Sequence, residues 1–202
     1  MKKEGIGIFG GSFDPVHLGH RRLALHVCEA LSLRKMLIIP AAVSPFKTSS
    51  GAASDERLEM CRLSFPEDIF EVSSLEIDRG GKSYTVDTVN AVKKLFPDEK
   101  IYLIIGSDQF LSFNKWYKYS EILSLVSLCT VSRENENLIE EMNRFADDYL
   151  RQYGECIILP FSPFVVSSTK IRALAAKGEN TDSYLHKDVA EYILKKGIYQ
   201  NE

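Results

Sequence analysis

Two histidines three residues apart, His17 and His20, close the run Gly10-Gly11-Ser12-Phe13-Asp14-Pro15-Val16-His17-Leu18-Gly19-His20. The run follows an apolar strand and leads into a helix. Residues three apart at a helix start share a face. Adjacent glycines let a ligand approach the backbone without Cβ interference. Backbone N–H groups and the helix dipole favour an anion at that end. Two imidazoles beside it can donate hydrogen bonds to phosphate oxygens. The chemistry this pattern suits is phosphate handling. Two other readings stand beside it. One is a Gly-Gly and Asp-Pro turn that two histidines merely cap. The other is a metal site of His17, His20 and Asp14, for which no fourth ligand has fitting spacing.

A second run, Val166-Ser167-Ser168-Thr169-Lys170-Ile171-Arg172, precedes and opens a late helix. One helix cap needs only one hydroxyl. Three hydroxyl residues, exposed N–H groups and Arg172 on the first turns make a cradle for a triphosphate. A capped surface helix is the plainer reading of this run alone. Other motifs fail. Gly5, Gly7 and Gly10 match a dinucleotide fingerprint in form, but they lie inside the first strand rather than between a strand and a helix. Gly81-Lys82-Ser83 would need a P-loop glycine where Glu76 stands. Ser167 and Lys170 lack the companion motifs of a β-lactamase site.

The elements that must hold these residues alternate. Apolar strands are expected at residues 5–10, 36–39, 101–105, 128–131 and 156–159, with an extended stretch at 69–77. Helical spacing marks 19–31, 54–64, 84–96, 168–177 and 188–196, and 108–125 is rich in helix. Leu138, Met142, Phe145, Tyr149 and Tyr153 form one more helical stripe. Such alternation predicts an α/β, Rossmann-like, doubly wound fold, with a mainly parallel sheet and helices on both faces. Strands buried on both faces read as continuous apolar runs, as these do. Ligands in such sheets bind beyond the C-terminal strand ends, which directs attention to residues 10–20, 40–47, 106–108 and 131–133.

Composition narrows the function. The 202 residues are 45% hydrophobic and 26% charged, with a formal net charge of −3. A disordered chain is excluded, and one domain over residues 1–202 is expected. A protein that grips long nucleic acid usually carries a basic surplus, so none is expected here. The longest apolar run, residues 36–43, is far short of a membrane span, and the N-terminus does not read as a signal peptide. Cys28, Cys61, Cys129 and Cys156 show no zinc or redox spacing. Free thiols in a cytoplasmic protein fit this pattern.

The first run resembles the nucleotidyltransferase superfamily, whose mark is His-x-Gly-His after the first strand. Its members make phosphoric anhydrides from a nucleoside triphosphate and release pyrophosphate. The second run resembles the same superfamily's Ser-Ser-Thr-x-[Ile/Val]-[Arg/Lys] motif. Three further segments, Ser83-Tyr84-Thr85-Val86-Asp87-Thr88, Gly106-Ser107-Asp108-Gln109-Phe110 with Trp116, and the tail through Tyr199, are similar to bacterial nicotinate-mononucleotide adenylyltransferases. The resemblance implies transfer of AMP from ATP to nicotinate mononucleotide in NAD biosynthesis. It implies catalytic roles for His17, His20 and Arg172. It places Gly10, Gly11, Ser12, Phe13, Gly106, Asp108, Ser168 and Thr169 at ATP. It places Lys47, Tyr84, Thr85 and Trp116 at the pyridine nucleotide. Mg2+ would arrive on ATP, with no protein metal ligand, and a homo-oligomer is compatible with the reading. The chain departs from the family at Phe46, where a histidine is usual, and at Ser107 and Gln109, where Ala and Asn are commoner. Phosphopantetheine adenylyltransferase and a catalytically silent nucleotide-binding regulator are the alternatives on the same fold.

Overall fold

Residues along each strand alternate between two apolar clusters. Ile6 and Ile8 join one, with Leu37, Ile39, Leu103 and Ile105. Phe9 joins the other, with Met36, Ile38 and Ile104. A period of two with apolar residues at every step requires cover on both faces. The computed structural model describes residues 4–42, 51–132, 136–162, 164 and 166–200. Its strands are β1 (Ile6–Gly11), β2 (Lys35–Pro40), β3 (Phe70–Val72), β4 (Ile101–Ile105), β5 (Ser127–Ser132) and β6 (Cys156–Pro160). They form one sheet in the order β3-β2-β1-β4-β5-β6. Every pairing is parallel. The expected doubly wound fold is the one observed.

Helices α1 (Leu18–Ala30), α2 (Ser54–Ser64), α8 (Ser168–Ala176) and α9 (Lys187–Lys196) cover the first face. Helices α4 (Thr85–Leu95), α6 (Tyr119–Leu125) and α7 (Glu136–Tyr149) cover the second. Two short helices, α3 (Leu75–Arg79) and α5 (Ser107–Phe110), lie at strand ends. The winding reverses between β1 and β4, which opens a crevice beyond their C-terminal ends. No helix among the described residues is long and apolar enough to cross a membrane.

Three sequence expectations change. Only Phe70–Val72 of the 69–77 stretch joins the sheet, and Leu75–Arg79 turns into helix α3. The Ser74 hydroxyl donates to the Asp78 carboxylate at 2.6 Å, and acidic Glu76 sits in the first turn, both favourable to a helix start. The 108–125 stretch divides into α5, a 3-10 turn at Phe113–Lys115 and α6, with Lys118 in the left-handed region at φ 54° as the break. Tyr153 falls beyond the end of α7 and packs edge-on against Tyr119 at 5.6 Å.

Candidate active site

Helix α1 begins with a reciprocal cap. His17 is its N-cap, in extended conformation. The His17 Nδ1 accepts the His20 backbone N–H at 3.3 Å. The His20 Nδ1 accepts the His17 backbone N–H at 3.2 Å. A nitrogen that accepts an N–H carries no proton, so each neutral ring holds its proton on Nε2. The rings stack with centroids 3.7 Å apart and 21° between planes. His17 is 7% exposed. Burial pushes its imidazole down from 6.5 to about 4. His17 is therefore a neutral donor at pH 7. Gly19 makes this stack fit: a Cβ there would stand 3.0 Å from His17 Nδ1 and 3.2 Å from the Phe164 carbonyl.

Phe13 supports the pair from behind. Its ring is 2% exposed and lies edge-on to His20 at 5.1 Å. It occupies the left-handed region at φ 49°, a costly conformation for an aromatic residue. The Phe13 ring is a buried support of the imidazole and lines neither cavity described below.

The loop after β1 is held by a buried carboxylate. Asp14 is 4% exposed and accepts the Gly51 N–H at 2.8 Å, the Ala52 N–H at 3.1 Å and the Tyr199 hydroxyl at 2.7 Å. Arg57, also buried, donates to the Ser12 carbonyl at 2.8 Å and to the Ala42 carbonyl at 3.3 Å. Arg172 donates to the Asp14 carbonyl at 2.7 Å, and Ser168 to the Pro15 carbonyl at 2.9 Å. Asp14 and the two histidine Nδ1 atoms thus serve the backbone, which argues against their joint use as metal ligands.

Two cavities open at the switch point. The larger, about 580 Å³, lies between the N-terminal ends of α1 and α8. His17, His20, Ser107, Asp108, Ser167 and Lys170 form its polar part, and apolar side chains such as Leu23, Val131, Phe161 and Phe164 the rest. The second, about 350 Å³, lies between β1, β4 and the start of α4. Gly10, Gly11 and Ser12 line it, with Thr85 and Trp116. A Cβ on Gly10 would meet only the Ile39 carbonyl, at 3.9 Å, so no protein packing demands glycine there. Gly106 and Asp108 line both cavities.

Most of the expected site residues converge here, with exceptions. Thr169 is exposed, and Ser168, Thr169 and Arg172 line neither cavity. The Tyr84 ring packs against Tyr117 at 5.0 Å and is absent from both walls. Lys47 and Phe46 lie outside the described residues. Sequence reasoning counted Ser167 among the cradle hydroxyls; its side chain caps α8 by accepting the Lys170 N–H, while Lys170 itself was given no role. Sequence reasoning passed over Glu76, which is 7% exposed and lines the second cavity. The Thr88 hydroxyl donates to Glu76 at 2.5 Å.

A Rossmann-like sheet with a His-x-Gly-His helix start beside a nucleotide-sized cleft defines the nucleotidyltransferase class. The cytidylyltransferase-like family matches residues 8–174. A protein named "Probable nicotinate-nucleotide adenylyltransferase" from Hydrogenovibrio crunogenus is 34% identical, covering 96% of this chain and 97% of its own. One of the same name from Methylacidiphilum infernorum is 38% identical, covering 96% and 91%. The chain belongs to the nicotinate-nucleotide adenylyltransferase family. Its fold is similar to that of the Plasmodium falciparum nicotinic acid mononucleotide adenylyltransferase solved with NaAD, with a TM-score of 0.80, 17% identity and 98% of each chain covered. A second structure of that protein, complexed with APC, has a TM-score of 0.77 at 16% identity, again with 98% of each chain covered.

Proposed function

We propose that this enzyme transfers AMP from ATP to nicotinate mononucleotide, giving deamido-NAD and pyrophosphate in NAD biosynthesis. The observation that carries the reading is the pair of cavities that share Gly106 and Asp108 at the switch point. One suits a triphosphate and a base, the other a smaller nucleotide beside an indole. A phosphate oxygen of the acceptor attacks the α-phosphorus of ATP. The bond from that phosphorus to the bridging oxygen breaks, and pyrophosphate leaves with the electron pair. The acceptor phosphate is ionised near pH 7, so the step needs no strong general base. Catalysis is positioning plus stabilisation of developing charge.

His17 and His20 are assigned to the α- and β-phosphates through their Nε2–H groups. The N–H groups at the start of α8 and Ser168, Thr169 and Arg172 are assigned to the triphosphate end. Gly10, Gly11 and Ser12 let the reacting phosphates lie against backbone, and Phe13 keeps His20 in place. Gly106 and Asp108 are assigned to adenosine and its ribose. In the second cavity Trp116 stacks on the pyridine ring, while Thr85 and the start of α4 receive its carboxylate. Tyr84 and Lys47 flank this acceptor site in the same assignment.

Magnesium is assigned as a passenger of ATP. Among the described residues no group of three His, Cys, Asp or Glu is gathered to hold a metal. The cleft offers one carboxylate, Asp108, beside two imidazoles whose Nδ1 atoms are committed. Such a donor set fits an ion that takes most of its oxygen ligands from phosphates and water. The ion would neutralise phosphate charge. We assign the chain as one cytoplasmic nucleotidyltransferase domain over residues 1–202.

The deciding experiment measures pyrophosphate release from ATP with nicotinate mononucleotide, nicotinamide mononucleotide and phosphopantetheine. Release with the first acceptor at the highest kcat/KM supports the reading. Release only with phosphopantetheine, or with none, rejects it in favour of the pantetheine enzyme or a silent regulator.

A further inference from the structure

We infer that Lys170 is a further ATP-binding residue, the cation that meets the outer phosphates of ATP and the departing pyrophosphate. The inference rests on the adenylyltransferase reading of the same cleft. A triphosphate brings three to four negative charges. Among the described residues that line the larger cavity, Lys170 is the one with a permanent positive charge. The others offer neutral donors, an apolar wall, or the negative charge of Asp108. His17 contributes a hydrogen bond without charge, because burial keeps it neutral. Arg172 does not line this cavity; its guanidinium donates to the Asp14 carbonyl at 2.7 Å and stands 3.8 Å from the Asp14 carboxylate. Much of its charge is answered there.

The Lys170 side chain is also placed rather than loose. Its Nζ donates to the Tyr184 hydroxyl at 3.1 Å and stands 4.7 Å from the centre of that ring. The Tyr184 carbonyl accepts the Leu18 N–H at 2.9 Å, in the first turn of α1. One tyrosine therefore fixes both the histidine helix and the lysine across the cleft from it. The backbone N–H of Lys170 is taken by the Ser167 cap at 3.2 Å, which orients the first turn of α8. A lysine that is only a solvated surface charge needs neither partner. A compact ammonium with three donors suits a phosphate as a point charge.

The test compares wild type, Lys170→Gln, Lys170→Arg and Tyr184→Phe. Lys170 is exposed, so the variants are expected to fold, and thermal melts check this. Lys170→Gln is expected to raise the KM for ATP, and the calorimetric Kd of ATP without acceptor, about tenfold. It is expected to weaken product inhibition by pyrophosphate to a similar degree and to leave the KM for nicotinate mononucleotide unchanged. Lys170→Arg should restore most of the ATP affinity. Tyr184→Phe should fall between, since the ring remains and the hydroxyl is lost. ATP affinity and pyrophosphate inhibition unchanged in Lys170→Gln overturn the inference while wild-type turnover leaves the parent reading standing. A wild type that binds ATP but adenylates no mononucleotide overturns the parent reading, and the calorimetric arm still decides the role of Lys170.

Discussion

His17 and His20 cap each other's backbone with the same ring atom, Nδ1. The arrangement converts an ordinary helix start into a pair of parallel donors. Protonating either ring would set a new N–H against the backbone N–H it accepts. The stack therefore favours two neutral imidazoles, each with its tautomer fixed before substrate arrives. Preorganised donors need no rearrangement at the transition state, which is where they are most effective.

Replacing His20 by Ala removes one such donor. Activity should fall about 100- to 1000-fold in kcat. The lost cap should lower stability by about 1 kcal/mol, leaving the protein folded. Steady-state rates beside a urea melt separate the two effects, and near-normal turnover rejects the assignment.

Acid should weaken the fold through His17. Its folded value of about 4 lies below the ordinary 6.5. Between these values the unfolded chain binds more protons, so stability is full above about pH 6.5 and drains as pH falls towards 4. The loss from this group is of order 3 kcal/mol. His17→Asn keeps a cap and removes the titration, so its urea midpoint should change less over this window. Parallel profiles for the two proteins would contradict the argument.

Arg172→Ala should act on binding and on the fold together. The ATP KM should rise and kcat should fall, with the acceptor KM little changed. The Asp14 loop loses a charged donor, which costs about 1–3 kcal/mol. A calorimetric ATP titration and a thermal melt report the two parts. Wild-type ATP affinity with wild-type kcat would remove Arg172 from the triphosphate site.

Nicotinate mononucleotide should be preferred over its amide. N–H donors at the start of α4 suit both oxygens of a carboxylate, whereas an amide presents donors to donors. Such a mismatch costs about 1–3 kcal/mol, or about 5- to 150-fold in kcat/KM. The carboxylate of Glu76 also lines this cavity. Its bond from Thr88 occupies part of the carboxylate, and the preference should survive. Trp116→Ala should raise the acceptor KM and spare ATP. Equal use of acid and amide would move the pyridine pocket elsewhere.

The histidine run was legible because its parts are contiguous and its chemistry depends on local helix geometry. The sheet was legible because Ile6, Ile8, Phe9 and their counterparts alternate between two buried faces. The Asp14 network was not. Tyr199 lies 185 positions from Asp14, and nothing local marks its hydroxyl as a partner. Glu76 was hidden by reading 69–77 as extended, which a buried position on α3 corrects. Ser168 and Arg172 were read as ligand groups from type and spacing, and spacing does not disclose that Pro15 and Asp14 carbonyls also claim them. Lys170 stood in the motif without an assignment, because its partner Tyr184 lies on another segment.

The common wall of Gly106 and Asp108 has a kinetic corollary. Two cavities that share these lining residues can be filled at the same time, which suits direct attack of the acceptor on ATP. No adenylylated enzyme need form, and pyrophosphate need not depart before the second substrate enters. Initial-rate lines for varied ATP at several acceptor concentrations should intersect rather than run parallel. Labelled pyrophosphate should not return to ATP when the acceptor is withheld. Exchange under those conditions would mean that the two cavities act in turn, with a residue of the chain carrying AMP between them.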